Sequence, residues 1–325
     1  MGIYDPRGGG NVHIDVVLQN ISVGYKNNDF VGDALFPSVP VKKQSDKYYV
    51  YGRESWGVDP GGDVRAPGTV ANEIPGLALS TQSYFAIEHS LQISVTDEER
   101  ENADAPLEPF RDGTELVTAK LHLAREIAIM TKVTTAGNFA SGHSVTLSGG
   151  DQWSDYSNSD PIDDIKVAAR LLHSKLFLEP NIMVIPYQVM SILEDHPDFI
   201  ERIKYSERGI LTREIISALF GISNILVPGA GNNTANPGQT VSVSYLWGKD
   251  VLVAYVPERA GMKIPAMGYE FCWTYSGSEQ AVERWREESR KSDVLRVSRR
   301  YDIQFTTLDS SSKALAGYVI KAAVA

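Results

Sequence analysis

The sequence has little cysteine, because Cys272 is the only one in 325 residues. A single thiol excludes an intrachain disulfide, a multi-cysteine metal site and an iron–sulfur cluster. Since Phe271 and Trp273 flank Cys272, we predict a buried, inert thiol. Long hydrophobic runs are also missing: no stretch approaches the roughly 18 apolar residues of a membrane span, and the first residues lack the apolar centre of a signal peptide. We therefore expect cytoplasmic synthesis and no membrane partner.

An excess of positive charge is missing as well, since the formal net charge is -10. Tight binding to a nucleic-acid backbone draws on a concentrated Lys/Arg surface, which argues against a dedicated nucleic-acid reader. A basic excess occurs in residues 283–300, where seven basic and four acidic side chains leave +3. Such mixed charge is typical of a salt-bridged surface.

Motifs of known catalytic chemistry are missing too. The sequence contains no Walker-type Gly-Lys-Ser/Thr, no Gly-x-Ser-x-Gly and no His-Glu-x-x-His. The glycine-rich residues 227–233 lack the third glycine of a dinucleotide fingerprint, so they indicate a surface turn. We predict no catalytic residue, no cofactor and no metal.

Two groups of polar side chains are candidate metal ligands. His122 and Glu126 lie four residues apart on a predicted helix but lack a third ligand, which favours an exposed or interface pair. The second group is an acidic loop at residues 151–160. It lacks the glycine and terminal glutamate of a calcium loop, which favours a solvated loop ending in a helix cap. Its polar residues are Asp151, Asp155, Asn158 and Asp160.

The N-terminal third has a different character from the rest. Residues 1–43 contain few apolar side chains, and Pro37 and Pro40 favour extended backbone, so this arm cannot form a core alone. Residues 47–51 and 83–95 have strand character, and a turn-rich segment separates them. An isolated hairpin of this size is unstable in water, which implies a partner surface, most simply another copy of the chain.

The strongest helical pattern covers residues 107–134, about 40 Å at 1.5 Å per residue. Glu115, Lys120, Arg125 and Lys132 are expected off its apolar face or at the edges. The predicted apolar face consists of Leu116, Val117, Leu121, Leu123, Ala124, Ile127, Ala128 and Met130.

Helix-capping signals precede two segments. Thr96 is a cap candidate, and Asp160 followed by Pro161 predicts a helix at 162–177 whose Asp163 and Asp164 complement the helix dipole.

The remainder mixes short helices and strands. Helices are predicted at 187–194, 197–205 and 212–221, the last ending at Gly221. Strands are predicted at 181–186, 224–227, 251–256 and 269–275, and apolar segments return at 294–305 and 315–324.

In this order and spacing, five loose motifs resemble the major capsid proteins of tailed bacteriophages, which have the Hong Kong 97-like fold. They are 35–41 (LFPSVPV) followed by 47–51 (KYYVY), 159–165 (SDPIDDI), 179–185 (EPNIMVI) and 292–297 (SDVLRV). The resemblance covers nearly the whole chain. It implies an α+β fold with an N-terminal arm (1–43), an extended E-loop with flanking strands (44–95), a P-domain (96–158 and 277–310) with a spine helix at about 107–134, and an A-domain (159–276 and 311–325).

The resemblance also implies a function. Hexamers and pentamers would build an icosahedral head around the genome, with E-loops over neighbouring subunits, in a virion assembled in the host cytoplasm. Implied partners are other copies of the chain, a separate scaffolding protein, a portal protein and packaged double-stranded DNA in non-specific contact, with decoration proteins left open. We predict a non-covalent shell. The candidate intersubunit contacts are aromatic: Phe36, Tyr48, Tyr49, Tyr51, Trp56, Tyr84 and Phe85.

Two alternatives stay open. An encapsulin-like compartment shares the fold but encloses protein cargo. A mixed α/β enzyme would need a site assembled from distant residues, with His173, Asp195 or His196 as candidates.

Overall fold

The computed structural model describes residues 13–14, 30–50, 63–71, 73, 80–103, 107–203, 212–235, 239–240, 242–260, 264–274 and 278–325. Helices and strands are mixed throughout these residues, which confirms the α+β class. The helices are α1 (Gly32–Leu35), α2 (Asp97–Glu101), α3 (Pro109–Thr134), α4 (Pro161–Leu176), α5 (Tyr187–Glu194), α6 (Pro197–Ile203) and α7 (Arg213–Phe220). The strands are β1 (His13–Ile14), β2 (Ser38–Val41), β3 (Ser45–Val50), β4 (Ser80–Phe85), β5 (Ile87–Thr96), β6 (Ser144–Thr146), β7 (Ile182–Val184), β8 (Asn224–Leu226), β9 (Gly231–Asn233), β10 (Val243–Tyr245), β11 (Val251–Ala254), β12 (Gly268–Trp273), β13 (Gln280–Glu287), β14 (Ser292–Phe305) and β15 (Gly317–Lys321).

The chain divides into two compact units, each assembled from three separate stretches. The first unit comprises Met1–Asp46, Tyr84–Thr131 and Glu270–Gln304. The second comprises Lys47–Ser83, Lys132–Tyr269 and Phe305–Ala325. The boundaries given above for the arm, E-loop, P-domain and A-domain stay predictions.

The first unit is built on a six-stranded sheet. Its order is β1-β13-β14-β12-β2, and β5 also pairs with β14. The long strand β14 runs antiparallel to both β13 and β5, and in the β5 pairing Ser292 lies opposite Thr96 and Tyr301 opposite Ile87. Helix α3 contributes Val117 and Leu121 to the same core cluster as the strands. The remaining buried members of that cluster are Val95, Val282, Leu295 and Val297.

The second unit is built on a five-stranded sheet of order β6-β15-β11-β7-β8. Its central strands β7 and β11 are buried along their whole length. Burial of this kind requires apolar cover on both faces, and residues of α4, α5, α6 and α7 share one core cluster with these strands.

The predicted helix ends are confirmed. Asp160 Oδ1 accepts a hydrogen bond of 2.9 Å from the backbone N–H of Asp163, and Pro161 opens α4. Thr96 and Glu99 form a capping box at α2, in which each side chain accepts from the other residue's backbone N–H. Helix α7 ends at Gly221, whose φ of 67° is the left-handed conformation that favours glycine.

The predicted strand at 83–95 is wrong as a single element. Strands β4 and β5 are separated at Ala86, and they pair in different sheets, β4 with β3 and β5 with β14. The Ala86 N–H donates to Gln44 O at 2.8 Å and its carbonyl accepts from Gln44 Nε2 at 3.3 Å, so its backbone bonds outside either ladder. The β3–β4 pairing confirms the two-stranded excursion, while residues 51–62, 72 and 74–79 of its distal part lie outside the described residues.

The predicted orientation of the long helix is wrong in part. Leu116, assigned to the apolar face, is 49% exposed, whereas Arg125, assigned to the edge, is 4% exposed. Ala124 and Ala128 are also exposed. The helix buries a face that is partly polar: Thr114, Val117, Thr118, Leu121, Arg125, Glu126, Ile129 and Val133.

Candidate functional site

A cluster of charged side chains lies buried in the first unit around Arg125 of α3. Arg125 donates from Nε to Glu270 Oε2 at 2.7 Å and from Nη1 to Asp33 Oδ1 at 2.6 Å, and its Nη2 also donates to Glu270. Glu270 of β12 is fully buried, and its second oxygen lies 2.9 Å from Arg299 Nη2 of β14. Each buried charge therefore has a partner of opposite sign, without which its desolvation would be strongly destabilising. The cluster connects α1, α3, β12 and β14.

The neighbouring residue, Glu126, binds the start of α1. Its carboxylate is 1% exposed and accepts from the backbone N–H groups of Val31 at 3.1 Å and Gly32 at 3.0 Å. Helix α1 has no side-chain cap of its own, so Glu126 supplies acceptors that a helix start otherwise lacks. The prediction of an exposed or interface pair at His122 and Glu126 is therefore wrong for Glu126, because the arm covers it.

Burial and charge set the protonation states in this cluster. Burial, and then the charges of Arg299 and Arg125, lower the pKa of His122 from its usual 6.5 to about 4. Burial pushes the pKa of Asp33 upward, but the charge and hydrogen bond of Arg125 outweigh it and leave that pKa below the usual 3.8. Burial raises the pKa of Cys272 to about 11, which agrees with the predicted buried, inert thiol. At neutral pH His122 is uncharged, Asp33 is ionised and Cys272 is protonated.

Strand β5 presents an apolar stripe that the described part of the chain covers only at one end. Alternate residues lie on one face of a strand, and on this face Val95 is 4% exposed while Leu91 is 40% and Ile87 is 54% exposed. Phe85, which ends β4, is 53% exposed. The opposite face of β5 carries the exposed polar residues Glu88, Ser90, Gln92 and Ser94. We call Phe85, Ile87 and Leu91 the open stripe.

The predicted contact residues fall into four groups. Phe36 is fully buried, and Tyr84 is 6% exposed with its ring stacked on Phe271 at 4.7 Å between centroids, so both pack inside the first unit. Tyr49 is 51% exposed and Phe85 is 53% exposed, which leaves their side chains accessible. Tyr48 is half-buried, and its hydroxyl donates to the carbonyl of Phe305 at 3.0 Å. Tyr51 and Trp56 lie outside the described residues.

The candidate enzyme residues do not form a catalytic arrangement. His173 and Asp195 are exposed, whereas His196 is fully buried, 3.1 Å from Ser159 Oγ. His196 Nδ1 accepts from the backbone N–H of Asp198 at 3.3 Å, so we assign the ring proton to Nε2, which donates to Ser159.

The proton of the Ser159 hydroxyl is directed to the carbonyl of Asp155 at 2.7 Å. An activated serine needs the reverse arrangement, with its proton given to the histidine. The histidine therefore caps α6 and fixes the acidic loop.

The remaining sequence candidates take structural roles. Residues 231–233 of the glycine-rich segment form β9 of a hairpin with β10, so the predicted surface turn is wrong for these residues. In the acidic loop, Asp155 accepts from Asn158 Nδ2 at 2.8 Å, and Asp160 is the helix cap described above. Asp164 also accepts from Trp153 Nε1 at 2.8 Å, a contact beyond the predicted dipole role.

Among the described residues no three potential metal ligands cluster together. The helices of the described part of the chain are too short or too polar to cross a membrane.

The basic segment 283–300 is a network of ion pairs, as predicted. Arg296 pairs with Glu283, Arg300 with Glu88 at 3.0 Å, and Arg286 with Asp97 at 2.6 Å.

The sequence did not reveal the roles of Asp33 and Glu270, nor the members of the open stripe other than Phe85. A carboxylate inside the apolar run 268–273 was the available signal for Glu270, because an unpaired charge there would be costly.

Two curated relatives match the chain over most of its length. The major capsid protein of Burkholderia phage BcepMu is 28% identical over 284 residues, which are 87% of this chain and 90% of the relative. The major capsid protein of Pseudomonas phage JBD67 is 30% identical over 250 residues, 74% of this chain and 77% of the relative. No protein-family model matches the chain.

Solved structures share the fold. A phage-related protein from Bordetella bronchiseptica superposes with a TM-score of 0.74 at 25% identity, covering 96% of this chain and 98% of that one. A chain of the mature capsid of bacteriophage PhiM1 superposes with a TM-score of 0.54 at 14% identity, covering 99% of this chain and 91% of that one.

Proposed function

This chain belongs to the major capsid proteins of tailed bacteriophages, and we propose that its copies assemble as hexamers and pentamers into the icosahedral head that encloses the phage genome. The observation that carries the proposal is the match to two phage major capsid proteins, one of which aligns over 90% of its length. Since that alignment spans 87% of this chain, the function is assigned to the chain as a whole.

The open stripe supports contacts between copies. Ile87 and Leu91 lie on the strand face that α3 covers at Val95, with His89 between them. Their exposed apolar side chains would be removed from water if another surface covered them. We propose that part of a neighbouring subunit lies over Phe85, Ile87 and Leu91, and that Tyr49 belongs to the same kind of contact. Phe36 and Tyr84, which are buried in their own unit, act by holding the arm and β4 in place.

The domain assignment follows from the same proposal. Residues 44–95 form the E-loop with its flanking strands, α3 is the spine helix of the P-domain, and the sheet containing β7, β11 and β15 lies in the A-domain. The arm comprises residues 1–43. The pairing of β3 with β4 and the length of α3, 26 residues, support these names.

We propose a structural role without catalysis, in a virion assembled in the host cytoplasm. A net charge of -10 suits a shell that contains DNA through non-specific contacts without binding it tightly. A separate scaffolding protein and a portal protein are the proposed assembly partners, and the shell is non-covalent. A protein-filled, encapsulin-like compartment would differ in its contents: nucleic acid in purified particles supports the phage head, and an enclosed enzyme contradicts it.

Negative-stain electron microscopy of the overexpressed full-length chain, with and without its scaffolding protein, tests the proposal. We expect shells, rings or capsomers. Their absence under both conditions, for a chain that is folded by circular dichroism, would overturn the assembly role.

One surface variant sharpens the test of the open stripe. Ile87→Asp places a charge on the apolar face and should abolish shells while leaving the circular dichroism spectrum unchanged. Ser90→Asp is the matched control, because it adds the same charge to the polar face of the same strand. Equal assembly by both variants would show that no subunit covers the stripe.

A further inference from the structure

The arm is fastened to α3 at one short segment, Val31 to Phe36, which we call the arm root. Val31, Leu35 and Phe36 are 6% exposed or less. The following strand, β2, is half-exposed, and its single partner in the described part of the sheet is β12 at the edge. The closest packing in this part of the arm therefore lies at the root.

Two adjacent residues of α3 grip the root in different ways. Glu126 accepts from the backbone N–H groups of Val31 and Gly32, whereas Arg125 donates to the side chain of Asp33 at 2.6 Å. The Asp33 side chain is 68% exposed, while that of Arg125 is 5% exposed, so the ion pair lies at the boundary between solvent and core. The root is thus held by charge at its water-facing edge and by buried hydrogen bonds at its centre.

Gly32 makes the fit specific. A Cβ at this position would lie 2.5 Å from Ile129 Cδ1 and 2.6 Å from Glu126 Oε2, which is closer than side-chain carbons approach. The recess in α3 therefore fits a backbone, and a side chain at position 32 would have to displace Ile129 and Glu126.

We propose that Arg125 and Glu126 form a latch that fastens the arm root to α3 and opens locally, releasing residues 31–41 while the rest of the first unit stays folded. When the root leaves, Arg125 keeps its contacts with Glu270, so the buried arginine is not left without a partner. The units that open first in a protein are edge and terminal segments with few buried contacts, and the half-exposed edge strand β2 is such a segment. The root before it is buried, so the contacts of Arg125 and Glu126 help to set how easily the segment opens.

The latch has a consequence for assembly that rests on the proposed function. Release of β2 exposes the edge of β12, and a strand edge with unpaired backbone groups is a site for pairing with another chain. Control of the latch would then control when a subunit offers that edge to a neighbour. The latch itself is a property of one subunit, so its failure and the failure of shell formation can be told apart.

Hydrogen exchange of the full-length chain, followed by mass spectrometry, tests the latch. In Glu126→Gln we expect peptides covering residues 31–36 to exchange roughly tenfold faster or more, the effect of weakening hydrogen bonds to a charged acceptor. Peptides covering β13 and β14 should stay within about twofold of the parent chain, because the sheet keeps its own bonds. The matched control is Glu115→Gln on the same helix, whose exposed carboxylate pairs with Arg111.

Two further variants keep the test decisive if Glu126→Gln fails to fold. Gly32→Ala retains every charge but fills the recess, and it should loosen the same peptides. Asp33→Asn removes the negative charge of the exposed partner of Arg125 and should give a smaller increase confined to the root. Unchanged exchange at residues 31–36 in Gly32→Ala and Asp33→Asn, or an equal increase across β13 and β14, would overturn the latch.

Discussion

Arg125 and Glu126 occupy positions of α3 where an apolar residue would be the simpler choice. A buried charge is stabilised only if attraction and hydrogen bonds offset the loss of water. Here Arg125 donates to Glu270 and Asp33, and Glu126 accepts from two backbone N–H groups of the arm. The arrangement is specific rather than merely stabilising, because it selects one position for the arm.

His122 makes the stability of the first unit depend on pH. Its pKa is about 4 in the folded chain and 6.5 in the unfolded chain, so between these values the unfolded chain binds more protons. Stability is therefore greatest above pH 6.5 and falls as the pH drops towards 4, by at most about 3 kcal/mol. The midpoint of urea unfolding, measured from pH 7.5 to 4.5, should show this fall.

His122→Gln should reduce that dependence, whereas His173→Gln, at an exposed position of α4, should keep it. Burial also lowers the pKa of His89, His143 and His196, so part of the dependence should remain in His122→Gln. A parent-like pH profile in His122→Gln would show that the acid sensitivity comes from another group.

The sequence identifies some of these residues and not others for a physical reason. The cap at Asp160 and the buried thiol at Cys272 depend on neighbours within a few positions, and both are visible in a short window. Arg125 and Glu270 are 145 positions apart, so the burial of each depends on a partner that local periodicity does not reveal. A helical pattern therefore assigns Arg125 to the surface by its type alone.

Helix α3 shows the same limit at the scale of an element. Its length is predictable, because apolar residues recur at three- and four-residue steps through 26 residues. Its orientation is not, since apolar residues occur on more than one face and Leu116 remains 49% exposed. A helix in a multisubunit shell keeps apolar residues for more than its own core, which blurs the amphipathic pattern.

Helix α4 offers a direct test of a local prediction. The Asp160 carboxylate accepts from the backbone N–H of Asp163, as an N-cap residue does, so Asp160→Ala should lower the free energy of unfolding by about 1 kcal/mol. Asp160→Asn keeps an oxygen acceptor, so it should lower the free energy of unfolding by only a few tenths of a kcal/mol. Urea unfolding followed by tryptophan fluorescence measures the loss in each variant, because Trp153 lies in the same core as α4.

Equal losses in the two variants would mean that the negative charge, rather than the cap hydrogen bond, stabilises the start of α4. The exposed substitution Asp151→Ala controls for a general effect of removing acidic residues from this loop.

At the scale of the whole molecule, local sequence patterns do not predict which strands pair with one another. Strand β14 pairs with β5, about 200 positions earlier, and β2 joins β12 in parallel across a similar distance. Each unit draws on three stretches of chain, so composition shifts along the sequence do not mark its limits. The order of elements still pointed to the capsid fold, because a known family supplied the connections that periodicity lacks.

The excursion between β3 and β4 is the part of the molecule whose removal best separates folding from assembly. Deleting residues 55–75 removes a turn-rich segment, of which 63–71 and 73 are described, while the buried core clusters found among the described residues lie outside it. The subunit should keep its circular dichroism spectrum and its urea midpoint, yet form no shells by electron microscopy, because the proposed contact with a neighbour is gone. A second variant that replaces 55–75 with a Gly/Ser linker of equal length preserves the length of the segment. If this variant also forms no shells, the defect comes from the missing side chains. If the deletion instead unfolds the chain, the segment is part of a core and not an assembly arm.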